Sequence, residues 1–311
     1  MKIACKSRIA IFDSWNGKFS KEIVKHWEKN HEVKVNPTWE QAEYADIVFF
    51  YQADNVAVEG TKNHKFNGKV FVQCVDIEVW AGQANAVNWY DTDGAIFMAK
   101  HIRDMVVPSI RADLPIAIIQ PGIDLTKYTL RPPNDFSDPI RRIAYVVGDN
   151  RIWDVKRFDI ALQITKDLLN KTNIIWQLHV RGTYSSHAQY NAYCKHLQKD
   201  LELDDFVIWH DKVEDMNEWL DDKDYLFLAS TKEAFSYATA EAMAKGIKPV
   251  LGNWQSAKEV WGPYANETYL DMFYEFLDPD YSPHNYRKYV EDRYDQERYF
   301  NELDAFMGIE G

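Results

Sequence analysis

Cysteine is scarce in this sequence. The chain of 311 residues contains three cysteines, Cys5, Cys74 and Cys194, and they stand far apart. An odd number of widely spaced cysteines indicates no disulfide framework, and the spacing typical of a zinc site does not occur. This pattern favours a protein of a reducing compartment, which we expect to be the cytoplasm.

Long apolar runs are also missing. The first residues, MKIACKSRIAIF, hold an apolar stretch too short for a secretory signal, and no run approaches the roughly 20 residues that span a bilayer. We therefore expect neither a secreted nor an integral membrane protein. Peripheral binding at a membrane surface stays open.

Glycine and proline are limited to 13 and 11 residues, whereas 46% of the chain is hydrophobic and 27% is charged. This composition is globular and excludes a disordered, collagen-like or low-complexity protein. No Gly-x-Gly-x-x-Gly follows the first predicted strand, which argues against an NAD-dependent dehydrogenase. No Gly-x4-Gly-Lys-Ser/Thr occurs, which argues against a P-loop ATPase.

Positive charge is in deficit, with 36 Lys and Arg against 48 Asp and Glu and a net charge of -12. Such a chain is a poor general binder of nucleic acid, because phosphate binding needs a positive field. The acidity is uneven. Residues 1–136 carry 16 basic and 17 acidic residues, whereas the rest carry 20 and 31. The near-neutral first half could still face an anionic partner.

The hydrophobic pattern predicts two α/β domains, which also fits the chain length. Short β-branched and aromatic runs alternate with amphipathic segments in both halves, as in parallel β-α-β units. The predicted strands are Arg8–Phe12, Glu32–Asn36, Asp46–Tyr51, Lys69–Val75, Gly94–Met98, Ile116–Gln120, Arg142–Val147, Asn173–Val180, Asp205–Trp209, Tyr225–Ala229 and Lys248–Leu251. The predicted helices include Lys18–Lys29, Arg157–Leu169, His187–Leu201, Met216–Asp221 and Ser236–Lys245.

The segment Thr129–Pro139 is rich in Pro, Asp and Ser and predicts a linker. We expect domains at residues 1–130 and 131–283, followed by a C-terminal helical segment at 284–311 that packs back on a groove. Ligands of such sheets bind at the carboxyl ends of the strands. A site in a cleft between two Rossmann-like domains is therefore expected.

The stretch Tyr225–Leu251 contains the most informative pattern. A strand ends at Ala229, a loop carries Glu233, and Glu241 lies eight positions further on in a predicted helix. Eight helical positions span roughly 12 Å. The free N–H groups at residues 235–238 form an anion site between the two carboxylates. A diphosphate flanked by two sugars fits this arrangement.

This stretch resembles the donor-binding signature of retaining glycosyltransferases of the GT-B fold, family 4 type. Ala234 and Ser236 stand where members commonly carry Gly. Pro121–Asp124 and Gly148–Lys156 resemble two further segments of that family, and the resemblance covers residues 116–262 well. The residues in register with the signature are Glu233, Glu241, Ala242, Met243, Ala244, Gly246, Pro249 and Val250.

The resemblance implies transfer of a sugar from a nucleotide-diphosphate donor with retention of configuration. It implies that Glu233 binds sugar hydroxyls, that Glu241 binds the ribose, and that Arg151 and Lys156 neutralise the departing diphosphate. Two fixed cations then replace a metal, and no cofactor is implied. The further donor-binding residues implied by the resemblance are Gly17, Arg181, Phe235, Ser236 and Tyr237.

The acceptor side is less defined. Asp76 follows a predicted strand and His101 begins a helical segment, so each is a candidate for sugar or acceptor contact, with helix capping as the simpler interpretation. Asp91-Thr92-Asp93 imitates the Asp-x-Asp metal site of the GT-A fold. It lies in a polar turn, and turn chemistry explains it.

Three alternatives remain open. A basic cleft would favour an enzyme that glycosylates modified bases of viral DNA, and a basic amphipathic helix would favour a peripheral enzyme acting on a lipid carrier. A protein that binds sugar nucleotides without turnover is the third. The acceptor could thus be a glycan, a lipid carrier, a small molecule or modified DNA. The residues that could supply the basic cleft are Lys62, Lys65, Lys69, Lys100, Arg103 and Arg111.

Overall fold

The computed structural model describes residues 6–15, 17, 20–132, 136–148, 153–182, 188–210 and 215–310. The chain divides into two compact units. The first unit comprises Met1–Gly122 with Gln296–Gly311, and the second unit comprises Ile123–Asp295. The chain therefore passes from one unit to the other twice, and the domain limits expected at residues 130 and 283 stay predictions.

The first unit contains a six-stranded sheet in which all pairs are parallel. Its strand order is β2-β1-β3-β4-β5-β6, so the direction of winding reverses between β1 and β3. The strands are β1 Arg8–Phe12, β2 Glu32–Val35, β3 Ile47–Phe50, β4 Lys69–Cys74, β5 Gly94–Phe97 and β6 Ile116–Ile118. The helices are α1 Lys21–Glu28, α2 Trp39–Glu43, α3 Asn55–Asn63, α4 Ile77–Trp80 and α5 Lys100–Val106.

The second unit contains a five-stranded parallel sheet of order β11-β10-β7-β8-β9, which reverses between β7 and β10. Its strands are β7 Ile140–Gly148, β8 Ile175–Gly182, β9 Val207–His210, β10 Tyr225–Leu228 and β11 Lys248–Leu251. Its helices are α6 Trp153–Lys156, α7 Phe158–Lys171, α8 Ala188–Asp200, α9 Met216–Trp219, α10 Tyr237–Ala244, α11 Ala257–Trp261, α12 Tyr269–Leu277 and α13 Pro283–Arg293.

The last helix, α14 (Gln296–Met307), belongs to the first unit. Its buried face joins the core formed by β1, β3 and α1. The Asp304 carboxylate lies 2.8 Å from His26 Nε2 and accepts a 2.6 Å hydrogen bond from Trp27 Nε1. The C-terminal segment therefore forms two helices, α13 and α14. The side chains that α14 buries are Tyr299, Phe300, Leu303 and Met307.

Each unit is a parallel α/β body, so the expected Rossmann-like fold class is confirmed. Ligand crevices in such sheets lie outside the carboxyl ends of the strands, at the point where the strand order reverses. That point is β1/β3 in the first unit and β7/β10 in the second. Among the described residues, no helix combines the length and the apolar character needed to cross a bilayer.

Candidate functional site

Lys156 and Glu233 form a buried ion pair in the second unit. Lys156 ends α6, which follows β7, and Glu233 lies in the loop after β10, so both occupy the strand reversal. Lys156 Nζ is hydrogen-bonded to Glu233 Oε1, with the two side chains 13% and 7% exposed. Ser230 Oγ donates a 2.8 Å hydrogen bond to the same oxygen. The structure thus brings together two residues that the resemblance implied separately.

Hydrogen bonds to the backbone hold this pair in place. The Thr231 amide donates to the Val155 carbonyl over 2.8 Å, which ties the loop after β10 to α6. The Tyr145 hydroxyl donates to the carbonyl of Lys156. Complete burial raises the pKa of Tyr145 well above its usual value, so the hydroxyl keeps the proton that it donates. The backbone beside each partner of the ion pair is therefore held by a hydrogen bond.

The N-terminus of α10 lies directly after this loop. Ser236 is its N-cap, with Oγ 3.4 Å from the Thr239 amide and 2.9 Å from the Thr239 hydroxyl. Tyr237 begins the helix and is half-buried, while the Phe235 ring is buried against Trp261 and Tyr294. The Phe235 side chain therefore belongs to the core.

Glu241 lies on the second turn of α10 and is half-buried. Its Oε1 accepts a 2.8 Å hydrogen bond from the Tyr128 hydroxyl. Burial raises the pKa of Glu241 to about 7, against the opposing effects of the Tyr128 hydrogen bond and of the positive charges on Lys127 and Arg181. Arg181 is in β8 near its end, and its positive charge is one of the effects that lower this pKa.

Tyr128 and Ser230 were not predicted from the sequence. Tyr128 is 113 residues from Glu241 along the chain, and a single tyrosine near a predicted linker carries no signal for such a contact. Ser230 directly follows a predicted strand that leads to Glu233. That position could have drawn attention to it, since ligand-binding residues follow strands in such sheets.

Arg151, the second implied cation, lies outside the described residues. Arg157 stands next to Lys156 and adopts a left-handed conformation with φ 56°. Its guanidinium makes two 3.0 Å hydrogen bonds to the Asp159 carboxylate. Arg157 therefore pairs with Asp159, whereas Lys156 pairs with Glu233 in the loop after β10.

The remaining predicted residues lie in the first unit. Gly17 has φ +76°, a conformation that favours glycine, in the loop before α1. Asp76 precedes α4, and its backbone carbonyl accepts hydrogen bonds from the Val79 and Trp80 amides. His101 is 2% exposed, and burial lowers its pKa despite the opposing charge of Asp104.

Asp91 and Asp93 have turn contacts. Asp93 Oδ2 accepts a 2.8 Å hydrogen bond from the Val70 amide, and Asp91 Oδ2 accepts one of 2.7 Å from the Asn88 side chain. In the part of the chain that the structure describes, no group of three or more His, Cys, Asp or Glu residues is arranged to hold a metal ion.

A comparison with protein-family models found a match in the second unit. Residues 141–270, about two fifths of the chain, match the family model described as glycosyl transferases group 1. The matched range lies within the second unit and contains Lys156, Glu233 and Glu241. A search of curated proteins found no match.

Solved structures share the fold over nearly the whole chain. A glycosyltransferase from Rickettsia africae ESF-5 has a TM-score of 0.69 and 14% identity, with 98% of each chain covered. Anabaena Alr3699/HepE, solved with UDP and glucose, has a TM-score of 0.74 and 13% identity over 98% of this chain and 100% of that one. Sucrose-phosphate synthase from Thermosynechococcus elongatus has a TM-score of 0.74 and 11% identity over 96% and 98%.

At these identities the structural likeness establishes the fold, which is GT-B. The family match supplies the enzyme class. The protein is therefore a glycosyltransferase.

Proposed function

We propose that the protein transfers a sugar from a nucleotide-diphosphate sugar to a hydroxyl acceptor, with retention of configuration and without a metal ion. The observation that carries the proposal is the Lys156–Glu233 pair at the strand reversal of the second unit, beside the N-terminus of α10. Anabaena HepE has been solved with UDP-glucose, which supports a nucleotide sugar as the donor for this fold.

The N-terminus of α10 is the proposed diphosphate site. The first amides of a helix have no partner inside the helix, and the helix dipole favours negative charge there. Ser236 Oγ caps the Thr239 amide, and the amides of Tyr237 and Ala238 at the start of the helix are proposed to face the diphosphate. Lys156 Nζ supplies the positive charge for the departing diphosphate, and fixed charges of this kind are a large contribution to transition-state stabilisation.

The two carboxylates are proposed to bind the two sugars of the donor. Glu233 accepts hydrogen bonds from Lys156 and Ser230 at Oε1, and a carboxylate has further lone pairs for sugar hydroxyls. Glu241 accepts from Tyr128 at Oε1 and is proposed to bind the ribose in the same way. Arg181, whose charge acts on Glu241, is then near the nucleoside.

Retention of configuration is implied by the family resemblance, and the second cation, Arg151, is implied by the resemblance of the segment Gly148–Lys156. Metal independence follows from the proposal that Lys156 and Arg151 balance the diphosphate charge. If it holds, EDTA leaves activity unchanged, whereas full loss of activity that manganese restores would contradict it.

Binding and turnover of nucleotide sugars test the function directly. We expect UDP, GDP or ADP to raise the melting temperature, and a ligand at a hundred times its Kd adds about 2.7 kcal/mol of stability. The matching nucleotide sugar should then be hydrolysed or transferred, with the anomeric configuration of the product read by NMR. Lys156→Ala should lower kcat by about a hundredfold or more.

Lys288→Ala is the matched control, because Lys288 pairs with Asp292 on the surface of the same unit and is 70% exposed. Turnover close to wild type in Lys156→Ala would remove that residue from the site. A protein that binds a sugar nucleotide and never turns it over would show that the site only binds.

A further inference from the structure

The first unit contains a cavity of 330 Å³ that none of the donor residues uses. It is at the lower end of the roughly 300–1,000 Å³ range of small-molecule sites. Its lining comes from the segments after β1, β3 and β4, which includes the strand reversal between β1 and β3. The residues that line it are Ser14, Trp15, Gln52, Asp54, Asn55, Val56, Ile77, Glu78 and Gln83.

The lining has the chemistry of a carbohydrate site with negative charge. Asp54 and Glu78 supply carboxylates, Gln52 and Gln83 supply amides, and Trp15 supplies an indole ring that is 37% exposed. Neither Lys, Arg nor His occurs among the described residues of the lining. Carboxylates and amides accept hydrogen bonds from hydroxyl groups, and an aromatic face packs against the apolar face of a sugar ring.

Both carboxylates are held in fixed positions. Asp54 Oδ1 caps α3 by accepting hydrogen bonds from the amides of Val56 at 2.9 Å and Ala57 at 3.3 Å. Glu78 is 5% exposed and accepts from the amides of Val75 and Asp76. Each carboxylate has about four lone-pair sites, so these bonds leave acceptor capacity for a ligand.

The loop after β1 is held in a similar way. Asp13 is fully buried, and its carboxylate accepts hydrogen bonds from the Trp15 amide at 2.8 Å and the Ser20 hydroxyl at 2.7 Å. The Ser14 amide, in turn, lies 3.3 Å from Gln52 Oε1. Hydrogen bonds therefore hold the backbone of Trp15 and the side chain of Gln52 at the carboxyl ends of β1 and β3.

We infer that this cavity binds a sugar of the acceptor, and that it selects an uncharged or amine-bearing sugar against one that carries phosphate or carboxylate at this position. That the bound sugar belongs to the acceptor rests on the proposed function. Two fixed carboxylates repel an anion at short range, whereas they attract an ammonium group and accept hydrogen bonds from hydroxyls. A glycan or small-molecule acceptor then fits this cavity better than a nucleic acid phosphate or a phosphorylated headgroup.

Matched sugars test the selection by charge. Isothermal titration would measure binding of glucose, galactose and mannose, each with its 2-amino and 6-phosphate derivative, without any donor present. We expect at least one series in which the phosphate derivative binds about tenfold or more weakly than the parent sugar, and the amine binds at least as tightly.

Asp54→Asn tests the source of the selection. Asparagine keeps an oxygen that caps α3 and loses the charge, so the fold is retained. We expect the ratio of phosphate to parent Kd to fall about threefold or more. Glu28→Gln removes one charge from an exposed position on α1 of the same unit and should leave the ratio unchanged. Trp15→Leu, a second variant, should weaken all members of a series together.

The outcomes separate this inference from the proposed function. If no sugar of the three series binds, or if a phosphate derivative binds as tightly as its parent, the inference is wrong even where wild-type protein hydrolyses the donor. If sugars bind with the expected order and no nucleotide sugar is turned over, the cavity stands and the proposed function fails.

Discussion

The Lys156–Glu233 pair is nearly enclosed, which makes each charge dependent on the other. The side chains are 13% and 7% exposed, so removal of one leaves the other buried and unpaired. Breaking a buried pair costs about 3–5 kcal/mol, whereas removing both charges can be nearly neutral. We expect Lys156→Ala to be less stable at pH 7 than the double variant Lys156→Ala/Glu233→Ala.

Urea unfolding of the two single variants and the double variant measures this coupling as a double-mutant cycle. Free energies of unfolding that simply add would show that the two side chains act independently. The cycle also separates stability from catalysis, because the double variant is expected to fold and to remain inactive.

We expect Glu241 to make the binding of the nucleotide sugar depend on pH. Burial raises its pKa to about 7, so below that pH the carboxyl is mostly protonated. A carboxylate accepts stronger hydrogen bonds than a neutral acid. We therefore expect the Kd of UDP-glucose to increase by about threefold to tenfold between pH 8 and pH 6. The diphosphate of this ligand keeps its charge in this range, so the change in Kd reports on the protein.

The effect of Glu241 on folding stability changes with pH in the opposite direction to its expected effect on binding. A raised pKa means that its stabilising contribution is complete below the ordinary pKa of 4.5 and is lost as the pH rises through about 7. Glu241→Gln should therefore abolish both the change in Kd and this loss of stability. A pH dependence of binding that persists in the variant would assign the titration to another group.

The residues of the candidate site differ in how strongly the sequence indicates them. Lys156, Glu233 and Glu241 belong to local patterns that resemble a known signature. Their supports, Ser230 and Tyr128, are single common residues that gain a meaning only when the fold brings them to a carboxylate. Hydrogen bonds over large sequence distances leave no periodic pattern to read.

At the scale of elements, Ser236 shows why its replacement of a family glycine is tolerated. Serine and glycine are both good N-caps, and replacing a serine cap by alanine costs about 1 kcal/mol whereas glycine costs a few tenths. We expect Ser236→Ala to lower the free energy of unfolding by about 1 kcal/mol and Ser236→Gly to leave it nearly unchanged. A Ser236→Ala variant as stable as wild type in urea unfolding would show that the hydroxyl bonds to Thr239 contribute nothing.

Not every residue of the signature serves chemistry. Gly246 follows α10 with φ +78°, and a Cβ there would lie 2.7 Å from Leu130 Cδ1 and 2.8 Å from Pro283 Cβ. Glycine is thus required to end the helix and to admit its neighbours. The match at Gly246 therefore reflects the end of a helix, whereas Glu233 and Glu241 belong to the proposed donor site.

Strands were easier to predict than helices. Each strand in the described ranges agrees with its predicted segment to within two residues at either end, because buried parallel strands are short apolar runs. Several helices were not predicted, including α2 and α4, which have five and four residues. Such helices are too short to show a period of 3.6 residues, and their positions depend on capping and packing.

At the scale of the whole molecule, net charge proved a poor guide to a site. The first half of the sequence is nearly neutral, which left an anionic partner open. The cavity in the first unit nevertheless has two carboxylates and no Lys, Arg or His among its described lining residues. A domain with little net charge can contain a cavity of either sign. The residues that line the cavity therefore determine which ligand charge it favours.

The path of the chain makes the first unit depend on the C-terminus. Helix α14 packs into a core that also contains β1 and β3 from the beginning of the sequence, and Leu303 is fully buried there. Replacing a buried leucine by alanine costs about 2–5 kcal/mol because it removes apolar contacts and leaves a cavity. We expect Leu303→Ala to lower the free energy of unfolding by that amount, measured by urea denaturation. Asn301→Ala on the exposed face of the same helix should stay within about 0.5 kcal/mol of wild type, and similar losses in both variants would mean that α14 contributes as a helix and not through its buried face.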